Sequence, residues 1–160
     1  DISACLMGYV NEAQQWIIEP KFSEAGGFVD GYAIVRYGGK NAIIDSIGKF
    51  ILSPDYESVY RTENFKINPR FIASKKEIFY LLDQDLKVIT PSGFVKIKPI
   101  SYSKSFLYTN KKQNQKWGIL DNNGLILSPE IFSFQVYNYG VDSNKIFQFE
   151  ENHLWGLYDG

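Results

Sequence analysis

Four aspartates, Asp45, Asp83, Asp121 and Asp159, follow one another at intervals of 38 residues, and no other feature constrains the fold of this 160-residue chain so tightly. Their surroundings recur with them. The position four before each Asp holds Asn41, Phe79, Trp117 and Trp155, and the next holds Ala42, Tyr80, Gly118 and Gly156. An apolar pair then leads into the Asp: Ile43-Ile44, Leu81-Leu82, Ile119-Leu120 and Leu157-Tyr158. A fixed period of this length marks a chain of supersecondary units, each burying an apolar face on its neighbours.

The best-preserved copy runs from Lys116 to Pro129. Trp117 to Leu120 alternates as a strand does. Asp121-Asn122-Asn123-Gly124 has turn chemistry: an Asp that can accept from N–H groups two residues on, and a Gly that tolerates positive φ. Leu125-Ile126-Leu127 is the return strand, and Pro129, lacking an N–H, is expected to stop or thin the pairing. The same elements recur as Asp45, Gly48 and Pro54, and as Asp83 and Pro91. Leu86 takes the place of the turn glycine in that third copy, so a different turn is expected there. An upstream strand (Tyr32–Val35, Phe71–Ser74, Phe106–Thr109, Ile146–Phe149) completes each unit.

The chain thus reads as all-β, a single array of tandem three-stranded antiparallel β-meanders of about 38 residues. The units are 28–64, 65–102 and 103–142, with a partial unit at 5–27, where Asn11 holds the Asp position, and another at 143–160. An open curved array is the expected arrangement, and a closed propeller-like ring the alternative. The half-units at both ends would also fit a fragment of a longer protein.

Composition agrees. Eleven Tyr and 12 Phe suit pleated, half-buried surfaces, and no helical apolar stripe is sustained. The single cysteine, Cys5, excludes an internal disulfide and a cysteine metal cage. It fits a reducing compartment, and without a signal peptide in this stretch a cytoplasmic location is expected. No apolar run reaches the length of a membrane span. The net charge of −1 conceals a basic middle: residues 61–116 carry twelve Lys/Arg against four Asp/Glu.

The repeat resembles the WG-repeat family of bacterial proteins, whose pattern runs roughly Lys-Trp-Gly-Tyr-Ile-Asp-x-x-Gly-Lys-x-Val-Ile-x-Pro. Lys116-Trp117-Gly118-Ile119-Leu120-Asp121 with Gly124 and Pro129 carries it, and so does Trp155-Gly156-Leu157-Tyr158-Asp159. Phe28 to Val35 and Asp45 to Tyr56 supply its other half. Asn41-Ala42 and Phe79-Tyr80 depart from Trp-Gly, so the third copy is expected to be the least regular. The resemblance implies an all-β repeat array without a catalytic assignment, a substrate or a cofactor.

Each conspicuous residue has a structural role that competes with a functional one. Trp117, Trp155 and Phe79 could stack a base or sugar, but an aromatic recurring at one repeat position is expected to be a core knob. Gly118 and Gly156 would then admit a close neighbour. The four aspartates could bind calcium, yet each turn offers one dependable carboxylate, so turn capping is expected. His153 reads as an exposed turn residue, and Cys5 as a bystander thiol. No P-loop, dinucleotide fingerprint or paired metal motif occurs.

Two function classes follow. The favoured one is a non-enzymatic scaffold that binds another protein or a neighbouring domain. The alternative is binding of single-stranded nucleic acid or an acidic glycan through Lys75, Lys76, Lys96, Lys98, Lys104, Lys111 and Lys112, interleaved with Phe79, Phe94, Phe106 and Tyr108. In either case the places to look are the stretches where copies differ, 56–70, 92–105 and 132–144.

Overall fold

The computed structural model describes residues 5–62, 69–100, 104–112, 116–132, 136–137, 146–151 and 154–159, with side-chain surroundings through residue 131. Every regular element among them is a β-strand. β1 (Met7–Val10) and β2 (Trp16–Phe22) form a hairpin. Next come β3 (Glu24–Ala25), β4 (Ala33–Tyr37), β5 (Lys40–Ile44) and β6 (Phe50–Tyr56), a four-stranded antiparallel sheet in chain order. β7 (Ser58–Arg61), β8 (Phe71–Lys75) and β9 (Ile78–Leu82) make the next sheet. β10 (Lys96–Pro99), β11 (Phe106–Thr109), β12 (Trp117–Leu120) and β13 (Ile126–Phe132) repeat the four-stranded order. β14 (Val136–Tyr137), β15 (Ile146–Glu151) and β16 (Leu154–Asp159) close the series. Among the described residues no sheet closes into a barrel, consistent with an open array of meanders.

To the three strands of each meander the structure adds a short first strand: β3, β7, β10 or β14. The last three of these lie in the variable stretches 56–70, 92–105 and 132–144. Two to four residues with no strong alternation carry little strand signal, which is why pattern reading leaves them as connections.

The pairing between the Asp strand and its return strand is the same in every copy. Counting from the Asp position, the residue four before pairs with the eleventh after: Met7↔Phe22, Asn41↔Tyr56 and Trp117↔Phe132. The residue two before pairs with the seventh after: Tyr9↔Ile18, Ile43↔Leu52 and Ile119↔Ser128. The residue one before pairs with the fifth after: Val10↔Trp16, Ile44↔Phe50 and Leu120↔Ile126. In the third copy the bridges Phe79↔Phe94 and Leu82↔Val88 fall at the same offsets. Between these anchors the return strand carries extra residues, so it bulges twice. Pro20, Pro54 and Pro129 lie in the larger bulge. The strand therefore runs on through the proline and the pairing thins rather than stops. The proline sits on an edge strand at a bulge, where a missing N–H leaves no ladder bond unmade.

The turn is also shared, and here the structure corrects the expectation for Leu86. Asn11, Asp45, Asp83 and Asp121 each close a loop in which the third residue on donates its N–H to their carbonyl at 2.9–3.2 Å. That residue has positive φ in all four: Gln14 at 60°, Gly48 at 82°, Leu86 at 62° and Gly124 at 79°. Leu86 adopts the common turn because the Asp83 carboxylate fixes it. Asp83 Oδ1 accepts from the N–H groups of Asp85 and Lys87, both at 2.9 Å.

The chain divides into two compact units, residues 1–60 with 73–76, and residues 61–72 with 77–160. In the first, Ile18 and Phe22 of β2 pack against Ala33, Val35, Ala42 and Ile44 of β4 and β5. In the second, one core gathers Ile72, Leu81, Phe94, Ile97, Phe106, Tyr108 and Leu120, and another Ile100, Leu107, Trp117 and Ile119. Each fully buried Ile, Leu or Phe contributes on the order of 1.5–3 kcal/mol of transfer free energy.

Candidate functional site

The repeat positions that looked most like site residues are occupied by structural work. Asp45 Oδ1 accepts from Ile47 and Lys49 N–H, and Asp121 Oδ1 from Asn123 and Leu125 N–H, at 2.8–3.1 Å. Together with Asp83 they are caps, each turned onto its own loop, and among the described residues no three of His, Cys, Asp and Glu gather as metal ligands would. The side chains of Asp159, at the end of β16, and of Trp155 and the surroundings of Gly156 are outside the described set, and His153 lies outside it altogether. Cys5 is exposed.

Trp117 is 8% exposed and packs with Ile100, Leu107 and Ile119, with Lys98 Nζ 4.6 Å from its ring centroid. It is a core knob capped by a cation. Gly118 beside it is needed for space. A Cβ there would lie 2.4 Å from the Tyr108 ring and 2.6 Å from the Ser128 carbonyl oxygen. That carbonyl belongs to the bulged return strand, and Tyr108 donates its hydroxyl to it at 3.3 Å. A Cβ on Gly8 would likewise lie 2.3 Å from the corresponding Ile18 oxygen. The third copy, with Tyr80 at this position, moves the small residue across the strand pair: a Cβ on Gly93 would lie 2.9 Å from the Tyr80 ring and 2.0 Å from Ile78 Cγ2.

The basic middle does not assemble as interleaving with aromatics requires. Phe94, Phe106 and Tyr108 are core residues, 1%, 0% and 4% exposed, and Phe79 packs against the same core. Buried rings cannot stack on a base. All seven lysines are exposed. Lys75 is 3.8 Å from Asp55 and Lys112 bonds Glu77, both in the open, while Lys98 covers Trp117. Lys96 and Lys98 line the edge strand β10, where lysines discourage a further strand from pairing. Lys76 occupies a hairpin turn at φ 52°, and Lys104 and Lys111 lie outside the strands.

Two apolar surfaces escaped the pattern reading. One is a groove of about 320 Å³ in the second unit, lined by Ile89, Pro91, Asn123, Gly124, Leu125 and Ile126. Of these, Leu125 and Ile126 are exposed, Leu125 by 64%. The signal was in the sequence: the residue opening the return strand is Gln15, Lys49 and Lys87 in three copies and Leu125 in the fourth. The other surface is in the first unit, where Leu6, Val10 and Trp16 are about half exposed.

The family described as WG containing repeat matches this chain over residues 7–40, from β1 through β4. No curated protein and no solved structure matches it.

Proposed function

Because the chain carries the WG containing repeat, we propose that it is a non-enzymatic interaction module, in which repeated meanders present an apolar return-strand surface to another protein. The observation that carries this reading is Leu125. It replaces the polar residue of the sibling copies, is largely exposed, and stands beside a groove large enough for an apolar side chain. Exposed apolar side chains clustered at a concavity mark interaction surfaces more often than isolated ones do. The matching chemistry is an extended segment that inserts one aliphatic or aromatic residue beside Pro91 and Gly124.

The test is photo-crosslinking from position 125 in an extract of the producing cell, with the captured proteins quantified. A partner should be captured reproducibly, withstand raised salt, and be lost when Ile126→Ser is added. Equal capture with and without Ile126→Ser removes the groove from the reading. Capture that collapses steeply with salt would instead favour the lysines and an anionic polymer.

A further inference from the structure

Asn123-Gly124 is the one Asn-Gly pair in the chain, and both residues line the groove beside Leu125. Such a pair can rearrange without an enzyme, because glycine leaves its nitrogen unhindered to attack the asparagine carboxamide. What decides the matter in a folded protein is how tightly the peptide groups of the turn are held. Here they are held unequally. The peptide joining Asn122 to Asn123 is fastened at both ends: Arg70 Nε donates to its carbonyl at 2.6 Å, and its N–H donates to Asp121 Oδ1 at 2.8 Å. The Asn123 nitrogen is therefore kept from the Asn122 side chain. The Gly124 N–H closes the turn on the Asp121 carbonyl at 3.2 Å, the longest of the four equivalent bonds and at the long end of the normal range. Asn123 is exposed, its carboxamide 3.4 Å from Asp121 Oδ2. The fold also fixes the glycine: a φ of 79°, and an Ile89 carbonyl into which a Cβ would run, exclude a side chain at 124. It does not demand the asparagine, since the same turn position holds Ala13, Ile47 and Asp85 in the sibling copies.

We propose that Asn123 is a site of spontaneous deamidation, which places a carboxylate in the groove wall as the protein ages. The Gly124 nitrogen, its proton lost to solvent base, bonds to Asn123 Cγ. The Cγ–Nδ2 bond breaks, and Nδ2 leaves as ammonia, taking a proton back from solvent. Water then opens the cyclic imide at Cγ, giving aspartate, or at the main-chain carbonyl, giving isoaspartate. The two products differ in consequence. Asp85 occupies this position in the third copy and donates its N–H to Asp83 Oδ1 at 2.9 Å, so aspartate at 123 keeps the turn. Isoaspartate inserts a carbon into the main chain between Asp121 and Leu125. The Leu125 N–H, now 2.8 Å from Asp121 Oδ1, then loses its place over the cap. The chemistry does not depend on which partner uses the groove.

Peptide mapping by mass spectrometry, on the whole folded chain sampled during incubation at mildly alkaline pH, reads the conversion. Asn123 should convert before Asn122 and before every other asparagine, to both products, at a rate proportional to hydroxide. Aged protein rich in isoaspartate should show a lower urea midpoint than fresh protein. Fresh Asn123→Asp should match the fresh wild type, and Asn123→Ala should keep its midpoint through the same incubation. Conversion of Asn123 in urea but not in the folded chain would mean that the turn locks the pair, and would overturn the proposal. Faster conversion at Asn122 would overturn it too. An isoaspartate-rich sample that unfolds at the fresh midpoint would sink the distinction drawn between the two products.

Discussion

Leu86 holds a left-handed backbone conformation that a side chain with a Cβ adopts at a cost of about 1–2 kcal/mol. It persists because the Asp83 carboxylate anchors two N–H groups of the same turn. Glycine at this position keeps the caps and relieves the strain, offset by the greater freedom glycine gives the unfolded chain. Leu86→Gly should therefore raise stability by about 0.5–1 kcal/mol, read as a higher urea midpoint with unchanged slope. Gln14→Gly, in the equivalent turn at φ 60°, should act in the same direction. A drop in midpoint for both would mean that side-chain contacts, not the backbone, hold these turns. The capping role of the aspartates was legible from spacing and turn chemistry alone. That Leu86 would submit to the same turn was not, because residue preference argues against it and only the carboxylate's two bonds decide otherwise.

At the scale of the strand pair, the doubled bulge and the Tyr108 ring together explain why Trp117 is followed by Gly, whereas Ala42, in the same bulge but paired with Val35, keeps its methyl. The bulge carries a return-strand carbonyl up against the position after Trp117, leaving no room for a Cβ between it and the Tyr108 ring. Gly118→Ala should destabilise the protein by about 2–3 kcal/mol, since one of the two obstacles is backbone and cannot turn aside. Gly93→Ala should cost a similar amount in the third meander, where the obstacles are Ile78 and Tyr80. If thermal melts show Gly93→Ala to be neutral, the idea that the small residue has changed strands there fails. Strand order, turn position and the column of the Trp could all be read from the sequence, since period-two alternation and a 38-residue repeat report them directly. The bulge could not. Its offset is identical in every copy, so comparing copies shows no irregularity to notice.

Across the whole molecule, the aromatic residues that made the basic middle resemble a binding surface are spent on a single core instead. A segment can be basic and aromatic in sequence while alternation sends the two classes to opposite faces of the sheet. Burial has a further consequence for pH. The phenols of Tyr9, Tyr60 and Tyr108 are all raised above their ordinary value by burial, with the nearby Glu130 adding to the effect at Tyr108. The folded state thus keeps these protons more tightly than the unfolded chain. The associated stability is complete below the unfolded value of about 10 and is lost as pH rises through the higher folded values. The urea midpoint should hold steady from pH 8 to 9 and fall between about 10 and 12. A midpoint that stays level through pH 11 would show that these hydroxyls are hydrated in the fold.

The exchange of Tyr80 and Gly93 for the usual glycine also orders the substitutions that can lead from one form of the meander to the other. With a bulky residue at both positions the strands collide, and with glycine at both a hole opens but the ladder survives. From a Trp-Gly copy, acquiring the glycine at 93 before the tyrosine at 80 avoids that collision, and losing them in the reverse order avoids it again. The second meander, with Ala42 and Asp55 at the two positions, shows that a small side chain is accommodated without either glycine. Once the ring has settled over Gly93, a change at that glycine alone runs into Ile78 and Tyr80, so the third copy can vary more freely elsewhere along its length than at this position.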